Sequence, residues 1–209
     1  MAVLSRSAAA SPCCAIAGKC RWRSTFAIRR GGVAVFLLTC AMAMGNLADL
    51  RTQNPPPGEY EVKAAFLYNF AKFVEWPQGA FADADSPLII GVLGEDPFGE
   101  VLDRTVAGKL AQGRPLRIQR WKRLTEIRRC HILFVSTSER GALPELLETF
   151  QAAAVLTVSE SDKFAERGGI VHFLLIGSKV RFEINDVSAK KAGLKISSRL
   201  LALATTIWE

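Results

Sequence analysis

The sequence contains few of the residues that metal sites and nucleophilic catalysis require. Four of its five cysteines lie before position 41, which leaves Cys130 alone in the rest of the chain with no intramolecular disulfide partner there. Both histidines, His131 and His172, lie in apolar stretches without Cys-x-x-Cys or His-x-x-x-His spacing. Gly-x-Ser-x-Gly is absent, and adjacent Cys130 and His131 would point to opposite faces of a strand. We therefore expect no catalytic residue, no metal and no cofactor.

Acidic residues are absent from residues 1–48, which hold six of the 27 basic residues. The rest is nearly neutral, with 21 basic and 20 acidic side chains. Residues 33–44 are apolar, and small residues suited to cleavage follow at Gly45 and Ala48. This order is typical of a secretory signal peptide, whereas a spanning helix needs roughly 20 apolar residues. We predict a signal peptide over residues 1–48, a periplasmic location and no binding of nucleic acid. Residues 37–40 are a poor match to the alternative, a lipoprotein cleavage site.

A proline-rich stretch marks the start of the folded part. Residues 54–58, Asn-Pro-Pro-Pro-Gly, cannot continue a helix, so we predict a loose tail over residues 49–58 and one domain over residues 59–209. Residues 60–76 carry apolar side chains three and four positions apart and end before Pro77, which predicts a helix.

Strands and helices are predicted to alternate in the rest of the domain. The predicted strands are residues 88–93, 116–121, 132–135, 155–158 and 170–176, and the predicted helices between them are 98–107 and 143–153. Residues 179–184 alternate after a Gly-Ser turn, which predicts a hairpin with a half-exposed edge strand. Residues 187–204 predict a closing helix, with Asn185 or Asp186 as its cap. The sum is an α/β sandwich: a mostly parallel central sheet with helices on both faces.

One glycine-rich turn is a candidate ligand loop. Gly91, Gly94 and Gly99 follow the first predicted strand and lead into a helix, where backbone N–H groups can hold an anion. The loop lacks the Lys-Ser/Thr of a phosphate loop and contains two acidic residues, which favours a plain turn. His172 is the other ligand candidate, although a lone histidine in a strand is more often a hydrogen-bonded core residue.

Basic residues are concentrated in residues 114–129. Arg114, Arg117, Arg120, Lys122, Arg123, Arg128 and Arg129 lie there with a single acid, Glu126. Alternation along a strand puts Arg117 on one face and Arg120 on the other. The pattern fits a solvated strand and loop, and also an electrostatic surface for an acidic partner or anionic lipid headgroups. Arg117, Arg120 and Arg123 are the candidate partner-binding residues of this segment.

The first predicted helix carries more aromatic residues than one helical face can bury. These are Tyr60, Phe66, Tyr68, Phe70, Phe73 and Trp76. A fully buried helix and a helix with an exposed contact surface would show the same pattern. Tyr68, Lys72 and Trp76 are therefore candidate partner-binding residues.

Residues 59–77, EYEVKAAFLYNFAKFVEWP, closely resemble the opening helix of the YfiR family of exported bacterial proteins. Residues 90–99, 130–136 and 192–201 fit the same family, so the resemblance extends from about Glu59 to Ala204. It implies a periplasmic, often self-associating regulator with a central sheet flanked by helices, and no catalysis.

The resemblance also implies partners. The best-known members inhibit the periplasmic sensing part of an inner-membrane diguanylate cyclase, lower cyclic-di-GMP output, and are relieved by an outer-membrane OmpA-like lipoprotein. We therefore expect a diguanylate cyclase or a sensor kinase as the inner-membrane partner. Well-known members carry redox-sensitive disulfides, which a lone Cys130 cannot form within the chain. The alternative function is a small-molecule-binding module whose ligand lies near Gly91, Gly94 and Gly99.

Overall fold

The computed structural model describes residues 58–83 and 85–209. The predicted signal peptide, and all of the predicted tail except Gly58, lie outside these residues, so the boundaries drawn there stay predictions. The helices are α1 (Glu59–Phe73), α2 (Glu100–Val106), α3 (Leu143–Phe150), α4 (Asp186–Lys191) and α5 (Ser198–Leu201). The strands are β1 (Val74–Glu75), β2 (Leu88–Leu93), β3 (Leu110–Ala111), β4 (Arg114–Trp121), β5 (Ile132–Val135), β6 (Leu156–Ser159), β7 (Val171–Ile176), β8 (Lys179–Asn185), β9 (Lys195–Ile196) and β10 (Thr206–Trp208). Two 3₁₀ turns span Leu124–Glu126 and Thr137–Ala142.

The described residues form a mixed α/β fold around an eight-stranded sheet with the order β10-β8-β7-β6-β5-β2-β4-β3. The neighbours from β4 to β7 and the pair β8–β10 are parallel, whereas β7–β8 and β3–β4 are antiparallel. The prediction of a mostly parallel sheet therefore holds in part. A second, two-stranded sheet pairs β1 with β9, placing Val74 opposite Ile196.

Side chains of the central strands are buried on both faces of the sheet. On one face, Ile90 and Phe134 pack into the core formed with α1, α2, α4 and α5. On the other, Leu93 and Leu133 pack with Leu146 of α3. Successive residues of a strand point to opposite faces, so a strand covered on both must be apolar throughout. This confirms the interpretation of the uninterrupted apolar runs of β2 and β5.

Helix α1 lies against the first of these faces. It begins after Gly58, whose N–H donates to the carboxylate of Glu61 at 3.1 Å as in a capping box. Leu67, Phe70 and Ala71 recur three and four positions apart and are fully buried. The helix ends at Phe73, three residues before the predicted end, because the next two residues pair with β9 before Pro77 is reached.

The prediction of one closing helix over residues 187–204 is wrong. Helix α4 is capped by Asn185, as predicted, and ends where Gly193 adopts φ +72° and Leu194 N–H donates to the Ala189 carbonyl. A glycine in the left-handed conformation commonly ends a helix. The chain continues through β9 and α5 into β10.

The prediction that β8 is the edge of the sheet is also wrong. The β7–β8 hairpin forms as predicted, with Phe173 opposite Phe182. However, β10 pairs in parallel with the outer side of β8, with Ile207 opposite Ile184. Two helices separate β10 from β8 in the sequence, so the alternation of residues within β8 does not indicate that β10 pairs with it.

Among the helices of residues 58–83 and 85–209, none is both long and apolar enough to cross a membrane.

Candidate partner-binding surface and ligand clefts

The cations of the predicted basic segment differ in how firmly contacts within the protein hold them. Arg120 forms ion pairs of 2.6 Å with both Asp96 and Asp103 and donates to the Gly99 carbonyl at 2.9 Å. Its hydrogen bond keeps the pKa of Asp103 below the ordinary value, and the two carboxylates raise the pKa of Arg120. Arg120 therefore connects β4 to α2 and to the loop before it, which is an internal role.

Arg114 is also engaged within the protein. Its guanidinium donates to the carbonyls of Asp83 and Ser86, both at 2.8 Å, and lies 3.9 Å from the ring centroid of Phe81. Arg123 forms an ion pair of 3.0 Å with Glu126, but its side chain is 79% exposed, so the pair is solvated and weak.

Four of the five exposed arginines of this segment, all except the doubly paired Arg120, form what we call the basic surface: Arg117, Arg123, Arg128 and Arg129. In the described residues, Arg117, Arg128 and Arg129 form no ion pair. Arg117 lies opposite Ile89 of β2. The backbone N–H of His131, two residues after Arg129, donates to the Ile89 carbonyl at 2.9 Å. Neighbouring strands lie about 4.8 Å apart, so Arg117 lies about two strand spacings from the Arg128–Arg129 pair, toward the amino ends of the strands.

The aromatic residues of α1 divide between core and surface. The rings of Phe66 and Phe70 pack against those of Phe173 and Phe182, with centroid distances of 5.2 Å from Phe66 to Phe182 and 5.8 Å from Phe70 to Phe173. These phenylalanines are core residues, which explains most of the aromatic excess of the helix.

The three partner-binding candidates of the first predicted helix lie in two places. Tyr68 is half-buried and donates to the Leu110 carbonyl at 3.4 Å, and exposed Lys72 lies 5.5 Å from its ring centroid. Trp76 lies elsewhere: its indole N–H donates to the His131 carbonyl at 3.2 Å. Tyr68 and Lys72 are therefore close together, while Trp76 is beside the strand that follows Arg129.

His131 is held as a neutral ring. Ile89 N–H donates to Nδ1 at 3.0 Å, so the proton is on Nε2, which donates to the Ala80 carbonyl at 3.2 Å. Burial lowers the pKa of His131, and the charges of Arg129 and Arg114 lower it further. The buried histidine has a structural role.

We expect the stability of the protein to depend on His131 below neutral pH. Because its pKa is lower in the folded chain than the ordinary value of about 6.5, its contribution is complete above pH 6.5 and is lost as the pH falls through the folded pKa. Urea denaturation of the wild type and of His131→Gln at pH 7.5 and 5.5 should give a double difference of up to about 1 kcal/mol, with the wild type more sensitive to acid. An equal response of the two proteins would contradict this assignment.

The predicted ligand loop is shaped by packing against its neighbours. A Cβ on Gly91 would lie 2.3 Å from the Trp121 ring, and one on Gly94, at φ +89°, would lie 2.3 Å from Ser138 Oγ. Gly94 N–H donates to the Trp121 carbonyl at 2.9 Å, and Glu95 N–H donates to Ser138 Oγ at 3.0 Å. These two donors are thus used within the protein and are not directed at an anion.

A cleft of about 640 Å³ nevertheless opens beside this loop, at the carboxyl ends of β2, β4 and β5. Its lining includes Gly94, Trp121 and Glu139. Strands β4 and β5 lie on opposite sides of β2, so the strand order reverses direction at this position. Open α/β sheets commonly bind ligands at the carboxyl ends of the strands at such a switch point. His172 does not line this cleft; it is buried on β7, with Nδ1 at 3.3 Å from a carboxylate oxygen of Glu183.

Sequence reasoning missed a buried charged cluster at the start of α1. Lys63 is 2% exposed and pairs with Glu59 at 2.5 Å and with Glu160, which follows β6. Tyr60 donates its hydroxyl to Glu160 at 3.3 Å. Burial alone would lower the pKa of Lys63, but the hydrogen bonds to the two carboxylates raise it. The four-residue spacing of Glu59 and Lys63 is the one sequence signal, because Glu160 arrives from a distant segment.

Residues 60–205 match the family model described as DUF4154, YfiR/HmsC-like. The chain belongs to this family. The match confirms the resemblance seen in the sequence and covers all the helices and most of the strands described above. The YfiR/HmsC-like family consists of periplasmic regulatory proteins.

The comparison with solved structures gives a weaker similarity. The chain is similar to a crystal structure of a conserved domain protein from Vibrio cholerae, with 16% sequence identity and a TM-score of 0.42. The similarity covers 57% of this chain and 54% of that one, so this chain spans about half the length of that protein. No curated protein matches the chain.

Cys130 of this YfiR/HmsC-like chain is 5% exposed, and burial raises the pKa of its thiol to about 12. A thiol that stays protonated is a poor nucleophile, so Cys130 has the environment of a structural thiol. The structure describes no group of three or more His, Cys, Asp or Glu side chains that could hold a metal within residues 58–83 and 85–209.

Proposed function

We propose that this protein is an exported periplasmic regulator that binds and inhibits an inner-membrane signalling protein, such as a diguanylate cyclase in cyclic-di-GMP signalling or a sensor kinase. The main support for this proposal is the match of residues 60–205 to the YfiR/HmsC-like family. The proposal includes export by the signal peptide of residues 1–48, self-association, and relief of inhibition by an outer-membrane OmpA-like lipoprotein.

The basic surface is the proposed contact for the signalling protein. Its arginines are exposed, and Arg117, Arg128 and Arg129 have no ion pair in the described residues, so their charges remain available to an acidic partner. Such charges steer encounter and suppress wrong partners more than they add affinity. Arg120 contributes through the position of β4, because its guanidinium is already paired with Asp96 and Asp103.

The test is an affinity capture from envelope extract with the exported protein as bait. The wild type should retain an inner-membrane signalling protein, and Arg117→Glu/Arg123→Glu should retain at least tenfold less of it, because two cations become anions on the contact surface. Arg104→Glu is the matched control: Arg104 is also exposed but belongs to α2, on the other side of the sheet.

Two results would contradict this proposal in different ways. Equal capture by the charge-reversed variant, with an unchanged melting temperature, would remove the basic surface from the interface. Failure of the wild type to retain any inner-membrane protein would contradict the regulator itself and leave small-molecule binding as the better function.

Small-molecule binding is the second candidate function, and the cleft at the carboxyl ends of β2, β4 and β5 favours it. Its volume of about 640 Å³ lies within the range of ligand pockets. Ser138→Trp would fill this cleft, so a metabolite that raises the melting temperature of the wild type and not of this variant would support the assignment. A metabolite panel without effect on the wild type would contradict it.

A further inference from the structure

A second cleft opens on the α3 side of the sheet, and no sequence motif pointed to it. It lies between residues 124–130, which lead into β5, and the carboxyl-terminal half of α3, and its volume is about 470 Å³. Its apolar lining includes Leu124, Ile127, Cys130, Phe150 and Val155. Most of these side chains belong to the core on this side of the sheet, so the floor of the cleft is fixed by packing.

Two arginines of the basic surface stand at this cleft. Arg128 and Arg129 line it, are exposed, and have no ion pair in the described residues. One acid, Glu145, also lines the cleft, so the charged side chains around it carry a net positive charge. Arg114 adds a further cation at this end of the sheet, where its guanidinium donates to the carbonyls of Asp83 and Ser86.

The chemistry of these groups selects a particular class of ligand. Guanidinium groups present planar N–H donors that match the two oxygens of a carboxylate. The hydroxyl of Thr149 is already used, since it donates to the Glu145 carbonyl at 2.8 Å. An anion without an apolar part would leave the floor of the cleft uncovered, and an apolar molecule without charge would leave both arginines unpaired.

We propose that this cleft binds a carboxylate attached to an apolar body, with Arg128 and Arg129 pairing the carboxylate and the apolar floor covering the rest. This chemistry has two sources, a free monocarboxylic acid or an acidic side chain beside a large apolar one in a protein partner. Either source would cover two arginines of the basic surface, so a bound free acid competes with an acidic partner. The competition rests on the proposed function, whereas binding of a carboxylate to the cleft is measured on the purified protein alone.

Isothermal titration of the purified protein with octanoate and with 1-octanol tests the free-acid source, because the two probes share a chain and differ in charge. Octanoate should bind the wild type at least tenfold more tightly than 1-octanol does. Arg128→Gln/Arg129→Gln should remove this preference. Arg117→Gln, a basic-surface variant that does not line the cleft, should keep it. Ala154→Phe narrows the cleft and should weaken both probes.

The partner source is tested with an acetylated Leu-Glu-Phe-Glu-Leu amide and its Gln-substituted counterpart. Binding of the acidic peptide without octanoate binding, again lost in Arg128→Gln/Arg129→Gln, assigns the cleft to a protein segment. If neither octanoate nor the peptide binds, or if either binds the double variant as tightly as the wild type, the proposal is overturned. Both substituted arginines are exposed, so an unchanged melting temperature of the double variant shows that any loss is local.

Discussion

Replacement of Lys63 by Met should lower the free energy of unfolding by about 3 kcal/mol, as expected when one member of a buried ion pair is removed. The ammonium group is almost fully buried between Glu59 and Glu160, and the side chain of Glu160 is 16% exposed. Met has a similar length and restores the apolar contacts, but it leaves the Glu160 carboxylate with the Tyr60 hydroxyl as its remaining partner. Urea denaturation at pH 7 measures the loss.

An exposed ion pair provides the control for Lys63. Arg104 and Glu100 are also four residues apart on a helix, at 3.3 Å, but their side chains are 66% and 90% exposed. Arg104→Met should therefore cost no more than about 0.5 kcal/mol. Adding Glu160→Gln to Lys63→Met should recover part of the stability, because the uncompensated charge is removed. A loss at Lys63 no greater than that at Arg104 would show that burial of the pair is unimportant.

Replacement of Phe70 by Ala should cost about 4 kcal/mol, the usual loss for a buried phenylalanine. Its ring is fully buried and lies 5.4 Å from that of Phe182 and 5.8 Å from that of Phe173, between the first helix and the β7–β8 hairpin. The cavity would border several rings that cannot collapse into it without leaving their own contacts. Thermal and urea unfolding give the change in stability.

Tyr68 is the matched control for Phe70 on the same helix. It is half-buried, and its hydroxyl makes one long hydrogen bond of 3.4 Å, so Tyr68→Ala should cost about 1 kcal/mol or less. If Tyr68 contacts a partner, its replacement should reduce capture of that partner without a matching loss of stability. Equal destabilisation by the two substitutions would contradict the division of α1 into core and surface residues.

The central strands could be predicted because their signals are local. Residues 88–93 and 132–135 are uninterrupted apolar runs, and both coincide with the observed β2 and β5. The closing helix was predicted as one element because its apolar spacing continues past Gly193, where the structure has a positive φ and the helix has already ended. The pairing of β10 with β8 depends on a return of the chain after two helices, which leaves no local pattern.

The sequence predicted the concentration of basic residues in the candidate surface, but not which of these residues are paired within the protein. The sequence places Arg117 and Arg120 on opposite strand faces, and the structure agrees, since Arg120 turns toward Asp103 of α2. Arg120 is paired because Asp103 and Asp96, which lie 17 and 24 positions before it, are close to it in the folded chain. No local sequence pattern indicates these contacts. The cleft beside Arg128 and Arg129 is likewise formed by two segments that meet only in the folded chain.

The packing of α1 on the β7–β8 hairpin also determines when, during synthesis, the aromatic face of α1 can be covered. Phe182 follows Phe70 by 112 positions, so the first helix is synthesised long before the hairpin that covers it. At about 5–20 residues per second, this interval is roughly 5 to 20 s. Throughout it the aromatic face has no native partner and is open to aggregation. Nascent chains of this protein should therefore need a chaperone until the last third of the sequence is available.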